Sequence, residues 1–456
     1  MSEPRNAPSA PRRLASRRDF LRFGSGAMAG AVCGAAMTPA VHAGEDNTIR
    51  LALIGCGGRG SGAAANAFES PHGPVRLVAM ADFFDDRLAA SHRILSGRFP
   101  EQVDVPPERR FVGFDSYRQA IDTLRPGDVA MLCGYAAWRP LQLEYAVARG
   151  VNVFMEKSFA TDPPGVRRVL AAGEAAEKKN LKIAAGLMCR HSRARQQLIE
   201  RIRNGELGEI QLIRAYRMEP VGPMGPKPPA MKELDWQIRN FTRFYWVSGG
   251  LFAEMDIHQI DEICWIKDSW PVSAHGVGGR APRSADRSQN LDSFAVEWTF
   301  ADGTKAIDVV RYLAGCHTEF ATYAHGTRAA AQFSGAGHAS TAFLAKDQRL
   351  SRDTIVWKAD DEPCSIWQAE WNALLDAIRN DRPHNEAQRA ALANLADIMG
   401  RAAVHMGRVV TWEEAMASEF QWFAGVDRID ENTAPPVEPD TEGFYPAPVP
   451  GIWKEL

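Results

Sequence analysis

Apolar positions change period along the chain, and the changes divide it. Residues Ile49–Ile54 (IRLALI) form an apolar run that stops at Gly55, and the small residues Ala63, Ala64, Ala65 and Ala67 then suit a closely packed helix. Short apolar runs recur at 75–81, 128–133, 151–155 and 182–187. Helical periodicity marks 85–97, 115–124, 141–149 and 163–179, with Gly150 placed to cap the third, while 100–110 is polar and proline-containing. Buried strands separated by such helices predict right-handed crossovers in a parallel, doubly wound sheet. Beyond residue 188 the order differs. Residues 196–203 read as helix, Ile210–Met218 alternates as a strand, and 251–266 reads as helix. Strand-like segments at 272–277, 292–300, 304–312, 317–324 and 328–333 follow without helices between them, which predicts a large, mostly antiparallel sheet. Residues 369–378 and 386–406 return to helical period, and the proline-rich 434–452 reads as an extended arm.

The first apolar run leads into Gly55, Gly57 and Gly60, the G-x-G-x-x-G spacing. In a strand–turn–helix the first glycine permits the turn, the second lets backbone approach a pyrophosphate, and the third lets helix and strand pack closely. The helix N-terminus then offers N–H groups and partial positive charge to phosphates. The next strand ends in Asp82, 22 residues after Gly60, where a carboxylate suits ribose hydroxyls. These features predict an α/β chain with a Rossmann dinucleotide-binding domain at 48–188. An α+β domain at 189–425 and a proline-rich arm at 426–456 complete it. Gly55, Cys56, Gly57, Gly58, Arg59, Gly60 and Asp82 are the expected cofactor contacts. The loops 55–60, 82, 134–140 and 156–158 follow strand C-termini and are expected to converge on one crevice.

What precedes the strand is read as a leader. Residues 16–22 (SRRDFLR) form a twin-arginine export signal, followed by a Gly/Ala-rich run to about residue 37 and a small-residue cleavage site near 41–43. Cys33 lacks the context of a lipid anchor, so the expected product is exported through the twin-arginine translocon and carries no membrane anchor. Residues 1–43 hold six Arg against Glu3 and Asp19, so the formal charge moves from −3 to about −7 when they are removed. That balance argues against a nucleic-acid partner. The six remaining cysteines (Cys56, Cys133, Cys189, Cys264, Cys316, Cys364) are scattered without C-x-x-C, which favours buried free thiols over a disulfide or metal framework; no metal is expected.

The glycine turn, Asp82, the segment 153–157 (VFMEK) and the segment 249–261 (GGLFAEMDIHQID) resemble the glucose–fructose oxidoreductase/inositol dehydrogenase/MocA family, over about residues 48–430. The turns 205–208 (GELG) and 325–327 (HGT) resemble that family too. The resemblance implies that Lys157 hydrogen-bonds a reacting hydroxyl, that His258 is the catalytic histidine, and that Glu254 takes a carboxylate position more often Asp. It also implies sugars, cyclitols and their derivatives as substrates, and a homo-oligomer, dimer or tetramer. An imidazole suits acceptance of a hydroxyl proton because its unperturbed pKa lies near neutrality. Glu254, His258 and Asp261, spaced i, i+4, i+7, are expected to share a helix face. Ser158 departs from the family's Glu-Lys-Pro. The loop 134–138 (GYAAW) lacks the family's histidine but supplies Tyr135 and Trp138, two aromatics suited to stack on a nicotinamide or sugar. Glu156 and Lys157 complete the expected cofactor contacts. Arg190, Trp236, Arg239 and Tyr245, together with His191 and Asn240, are the polar and aromatic residues expected at a carbohydrate.

Asp82 repels a 2′-phosphate, which points to NAD, while Arg59 and Arg87 leave NADP open. The favoured reading is an exported NAD(P)-dependent oxidoreductase that holds its cofactor tightly, since no nicotinamide pool is maintained outside the cytoplasm. A redox-neutral reading stands beside it: transient oxidation to a keto sugar, then elimination, epimerisation or glycoside cleavage with cofactor recycling. A third is a non-catalytic dinucleotide- or sugar-binding protein.

Overall fold

A computed structural model of the chain describes residues 47–281, 285–335, 337–338 and 341–456; the expected leader, 1–43, lies outside them. Six strands form the first sheet: β1 (Ile49–Ile54), β2 (Val75–Asp82), β3 (Arg110–Val112), β4 (Val129–Leu132), β5 (Asn152–Met155) and β6 (Ile183–Ala185). All pair in parallel in the order β3-β2-β1-β4-β5-β6. The doubly wound sheet expected from the buried runs is therefore present. The edge strand β3 begins at the last residue of the loop expected over 100–110 and was not expected as a strand; its three residues are too few to show a period. The order reverses between β1 and β4, the position where such sheets bind ligands beyond their strand C-termini.

Nine strands form the second sheet: β7 (Ile210–Met218), β8 (Ser273–Gly279), β9 (Ser293–Thr299), β10 (Lys305–Arg311), β11 (Glu319–Gly326), β12 (Ala330–Ser334), β13 (Phe343–Ala345), β14 (Ile355–Lys358) and β15 (Val410–Thr411). Their order is β14-β13-β12-β11-β7-β10-β9-β8-β15, antiparallel except for β7 beside β10. Alternating burial along β9 and β10 shows one face covered. The helices Ile257–Lys267 and Ala387–Met406 pack against that sheet.

The chain then returns to the first sheet. Trp371 on the helix Ile366–Arg379 stacks on Phe154 of β5 at 4.5 Å, and Gln368 donates to the Asn66 carbonyl at 2.9 Å. Thr48–Leu456 consequently form one compact unit. The arm is anchored as well. Gln237 donates to the Val437 carbonyl, and the Glu455 carboxylate is buried between Arg401 and His405. The six described cysteines are free thiols, and no described helix is long and apolar enough to cross a membrane.

Several buried carboxyls lack a protein partner. Burial pushes Glu370 up to about 8 and Asp397 up to about 7, and both side chains lie with their oxygens unpaired. A carboxyl raised in the folded state keeps a proton that the unfolded chain has already released. Its stabilising contribution is therefore full below the unfolded value and declines as pH rises through the folded one. Comparison with Glu370→Gln cancels the groups that do not sense Glu370 and reports Glu370 together with its neighbour His191. The variant's advantage in unfolding free energy is expected to grow from pH 5 to pH 8, with a ceiling of roughly 1.4 kcal/mol per pH unit, and then level off. Urea unfolding across that range checks it; an advantage independent of pH would show Glu370 ionised throughout.

Candidate active site

The loops after β1, β2, β4 and β5 open on one cleft with about 870 Å³ of empty space. Its walls include Gly55, Gly57, Gly58, Arg59, Gly60, Asp82, Tyr135, Glu156, Lys157 and Glu254. Gly55 takes φ +96°, and a Cβ there would sit 2.4 Å from the Cys133 carbonyl carbon. A Cβ on Gly60 would meet the Gly55 carbonyl oxygen at 2.1 Å, whereas Cβ atoms on Gly57 and Gly58 would meet nothing within 4 Å. The turn is thus tight inward and open toward the cleft.

The helix Gly58–Phe68 begins there with no side-chain cap and no acidic residue in its first turn. Its N–H groups and positive dipole end suit an anion. The Arg59 Nε donates to Glu156 Oε1 at 2.5 Å, while its Nη2 is buried without a partner. At the end of β2, Asp82 accepts from the Cys56 N–H at 2.7 Å and from the Phe84 N–H at 2.9 Å. Burial raises its pKa, against the pull of those two bonds. Each oxygen still has acceptor capacity for a hydroxyl. The uncapped helix end, the orphaned guanidinium nitrogen and the strand-end carboxylate fit a dinucleotide's pyrophosphate and ribose.

The other end of the cleft carries the polar pair. Lys157 Nζ donates to Glu254 Oε2 and to the Glu254 carbonyl, both at 2.5 Å. The Lys157–Ser158 peptide is cis, and the Ser158 hydroxyl donates to the Ala253 carbonyl at 2.9 Å. Glu254 lies in a π-helical turn, Phe252–Asp256, that precedes the α-helix Ile257–Lys267. The π-helical turn carries Glu254 and the α-helix carries His258 and Asp261, and the three residues expected on one face meet different surroundings. Glu254 lines the cleft. His258 is buried behind it, its ring 4.8 Å from His338, with Nδ1 unpartnered. Burial, then His338 and Lys157, lower its pKa well below the ordinary value, so the imidazole is neutral with a free lone pair. Asp261 turns to Arg190.

Other expected contacts have different partners. Cys56 buries its side chain, whose thiol donates to the Ala81 carbonyl, and gives its N–H to Asp82. Trp138 is buried against Phe83 at 4.7 Å and Trp246 at 5.8 Å, so its ring cannot stack on a ligand. Tyr245 is buried too; its hydroxyl donates to the Gln289 carbonyl, and its ring lies between His405 and Trp422. Arg190 makes two 2.8 Å bonds to Asp261 and covers Trp265. Arg239 pairs with Asp86 at 2.8 and 3.0 Å over the Phe84 ring, and Trp236 packs in the same aromatic cluster. Asn240 donates to the Trp236 carbonyl. None of Arg190, Trp236, Arg239 and Tyr245 lines the cleft. His191 sits 3.3 Å from Glu386; with Glu370 these form a His/Glu cluster whose cation is already supplied by Arg389 on Glu386.

Phe83, Gln142 and Phe241 line the cleft although the motifs did not place them there, and Arg87, expected near the cofactor, lines it too. Phe83 follows Asp82 directly, so the strand-end rule reaches it. Phe241 comes from the second half of the chain, packs 5.2 Å from Tyr135, and has no local signal.

A parallel sheet with a glycine turn at its switch point, joined to a second mixed sheet, defines the architecture: a Rossmann-type domain with an α+β partner. Residues 195–332 match the model of the GFO/IDH/MocA C-terminal domain. The chain is 25% identical over 236 residues to an inositol 2-dehydrogenase of Cereibacter sphaeroides, a match covering 52% of this chain and 59% of that protein. In fold it is similar to scyllo-inositol dehydrogenase from Lactobacillus casei, solved with NAD(H) and scyllo-inositol: TM-score 0.59, 21% identity, 80% of this chain and 99% of that one. Aldose-aldose oxidoreductase from Caulobacter crescentus, complexed with glycerol, is similar at TM-score 0.60 and 16% identity, with coverage of 80% and 99%.

Proposed function

We propose that the chain is an exported oxidoreductase of the GFO/IDH/MocA type. It holds NAD tightly and acts on a ring hydroxyl or ketone of a sugar, glycoside or cyclitol. The observation that carries this reading is the Lys157–Glu254 pair, which enters the same cleft as the Gly55–Gly60 turn. Bound there, a nicotinamide would supply a hydride acceptor or donor. Gly57, Gly58 and Arg59 would hold its phosphates and Asp82 its ribose. Lys157 donates a hydrogen bond to the reacting oxygen and holds the charge that develops there; Glu254, in contact with Lys157, takes up the proton. His258, kept neutral by burial, is a second acceptor behind them.

NAD is favoured over NADP because the Asp82 carboxylate at the end of β2 repels a 2′-phosphate, and Arg87 is engaged, donating to the Tyr135 hydroxyl and the Arg239 carbonyl. The names of the relatives support a polyol or aldose substrate, and the leader at 16–22 supports export. A homo-oligomer stays part of the proposal.

The redox-neutral reading is favoured by the same leader, since an exported enzyme gains from recycling its cofactor. Product stoichiometry separates the readings. Purified protein given inositols, aldoses and aryl glycosides is expected to form a keto product matched by reduced dinucleotide on the protein. Aglycone release with no net reduction establishes the redox-neutral route instead, and no turnover on any of them contradicts both.

A further inference from the structure

Two backbone segments, one after Lys157 and one before Glu254, must be held in register for the pair to meet, and one helix reaches both. Asn394, on Ala387–Met406, accepts from the Phe159 N–H at 2.7 Å and the Ala160 N–H at 2.8 Å through the same Oδ1. These are the second and third residues after Lys157. Two turns further on, Arg401 donates to the Thr161 carbonyl and to the Gly249 carbonyl, each at 3.2 Å. Gly249 opens the segment that leads to Glu254. Arg401 is itself held by Glu455, whose other oxygen bonds His405 Nδ1 at 2.7 Å. Asn394 and Arg401, spaced i, i+7, lie on one face, and Asp397 between them feels the charges of both Glu254 and Lys157.

We propose that this face of the helix positions the catalytic pair: Asn394 and Arg401 fix the segments 159–161 and 249–254 against each other, and so set where the Lys157 ammonium stands. The proposal rests on the reading of Lys157 and Glu254 as the reactive groups. A buried ion pair such as Arg401–Glu455 adds little net stability over an apolar replacement. What it adds here is geometry, because the rigid guanidinium fork reaches two carbonyls and a carboxylate at once. Asn394 and Arg401 are positioning residues; neither lines the cleft.

The test uses the full-length protein and reads Lys157 directly. Reductive dimethylation with formaldehyde and cyanoborohydride, followed by peptide mass analysis, compares Lys157 with the exposed Lys178 and Lys358, with and without saturating NADH. Asn394→Ala is expected to raise Lys157 labelling about fivefold, and Asn394→Asp, which keeps the acceptor, to leave it protected. In a steady-state assay Asn394→Ala is expected to lower kcat about tenfold, with KM for the polyol within about twofold and the bound dinucleotide retained. Unchanged labelling in a folded Asn394→Ala protein overturns the proposal. If that variant does not fold, Arg401→Lys decides, since one ammonium cannot span both carbonyls and Glu455; wild-type labelling there overturns it equally. A wild-type protein without oxidoreductase turnover contradicts the functional reading, while the labelling still decides the positioning.

Discussion

Replacing Lys157 with alanine is expected to lower kcat about 10³-fold while the protein keeps its dinucleotide, because the ammonium reaches the polar end of the cleft in contact with Glu254. The lysine side chain is 20% exposed and the glutamate 6%, so the substitution leaves a largely buried carboxylate without its partner. That loss alone is expected to lower stability by about 1–3 kcal/mol. The double variant Lys157→Met, Glu254→Gln separates the two effects. It restores most of the melting temperature because no unpaired charge remains, and it recovers none of the turnover. A double variant that regains activity would place the chemistry elsewhere. Calorimetry and single-turnover kinetics on the same preparations make the comparison.

The glycines are expected to divide into two kinds. Gly60→Ala puts a methyl group 2.1 Å from the Gly55 carbonyl oxygen, a backbone atom that cannot step aside, so it is expected to lower both stability and dinucleotide content. Gly57→Ala meets nothing within 4 Å, and its φ of −75° is ordinary for alanine. With the dinucleotide stripped from both proteins, its melting temperature is expected to match wild type, yet the methyl group occupies the space through which a pyrophosphate approaches. Dinucleotide affinity is therefore expected to fall at least about 100-fold. Equal loss of stability in both variants would mean that the turn is structural only.

The first half of the site was legible because its rules are local. A strand, a glycine turn and a helix N-terminus occupy twelve consecutive residues, and strand C-termini bring Asp82, Tyr135, Glu156 and Lys157 to one side of the sheet. The second half depends on distant partners that no window contains. Arg239 answers to Asp86, Arg190 to Asp261, and Tyr245 to Gln289. An arginine or tyrosine has the same identity in a carbohydrate site as in a buried ion pair or an aromatic core. Trp138 shows the same ambiguity beside Tyr135, which does face the cleft. A π-helical turn leaves no mark in apolar spacing, and neither does the choice of partners around it: Glu254 meets Lys157, whereas Asp261 meets Arg190. The return of the helices Ile366–Arg379 and Ala387–Met406 to the first sheet was equally silent, although Asn394 and Arg401 depend on it.

The central claim is that a nicotinamide dinucleotide occupies the cleft and stays there. Acid release from the purified wild-type protein, with mass and absorbance analysis of the supernatant, tests it most directly. The account predicts NAD, oxidised or reduced, at about one per chain, and its loss in Gly57→Ala. A protein that releases no dinucleotide, and that shows no heat when titrated with NAD or NADH, would contradict it.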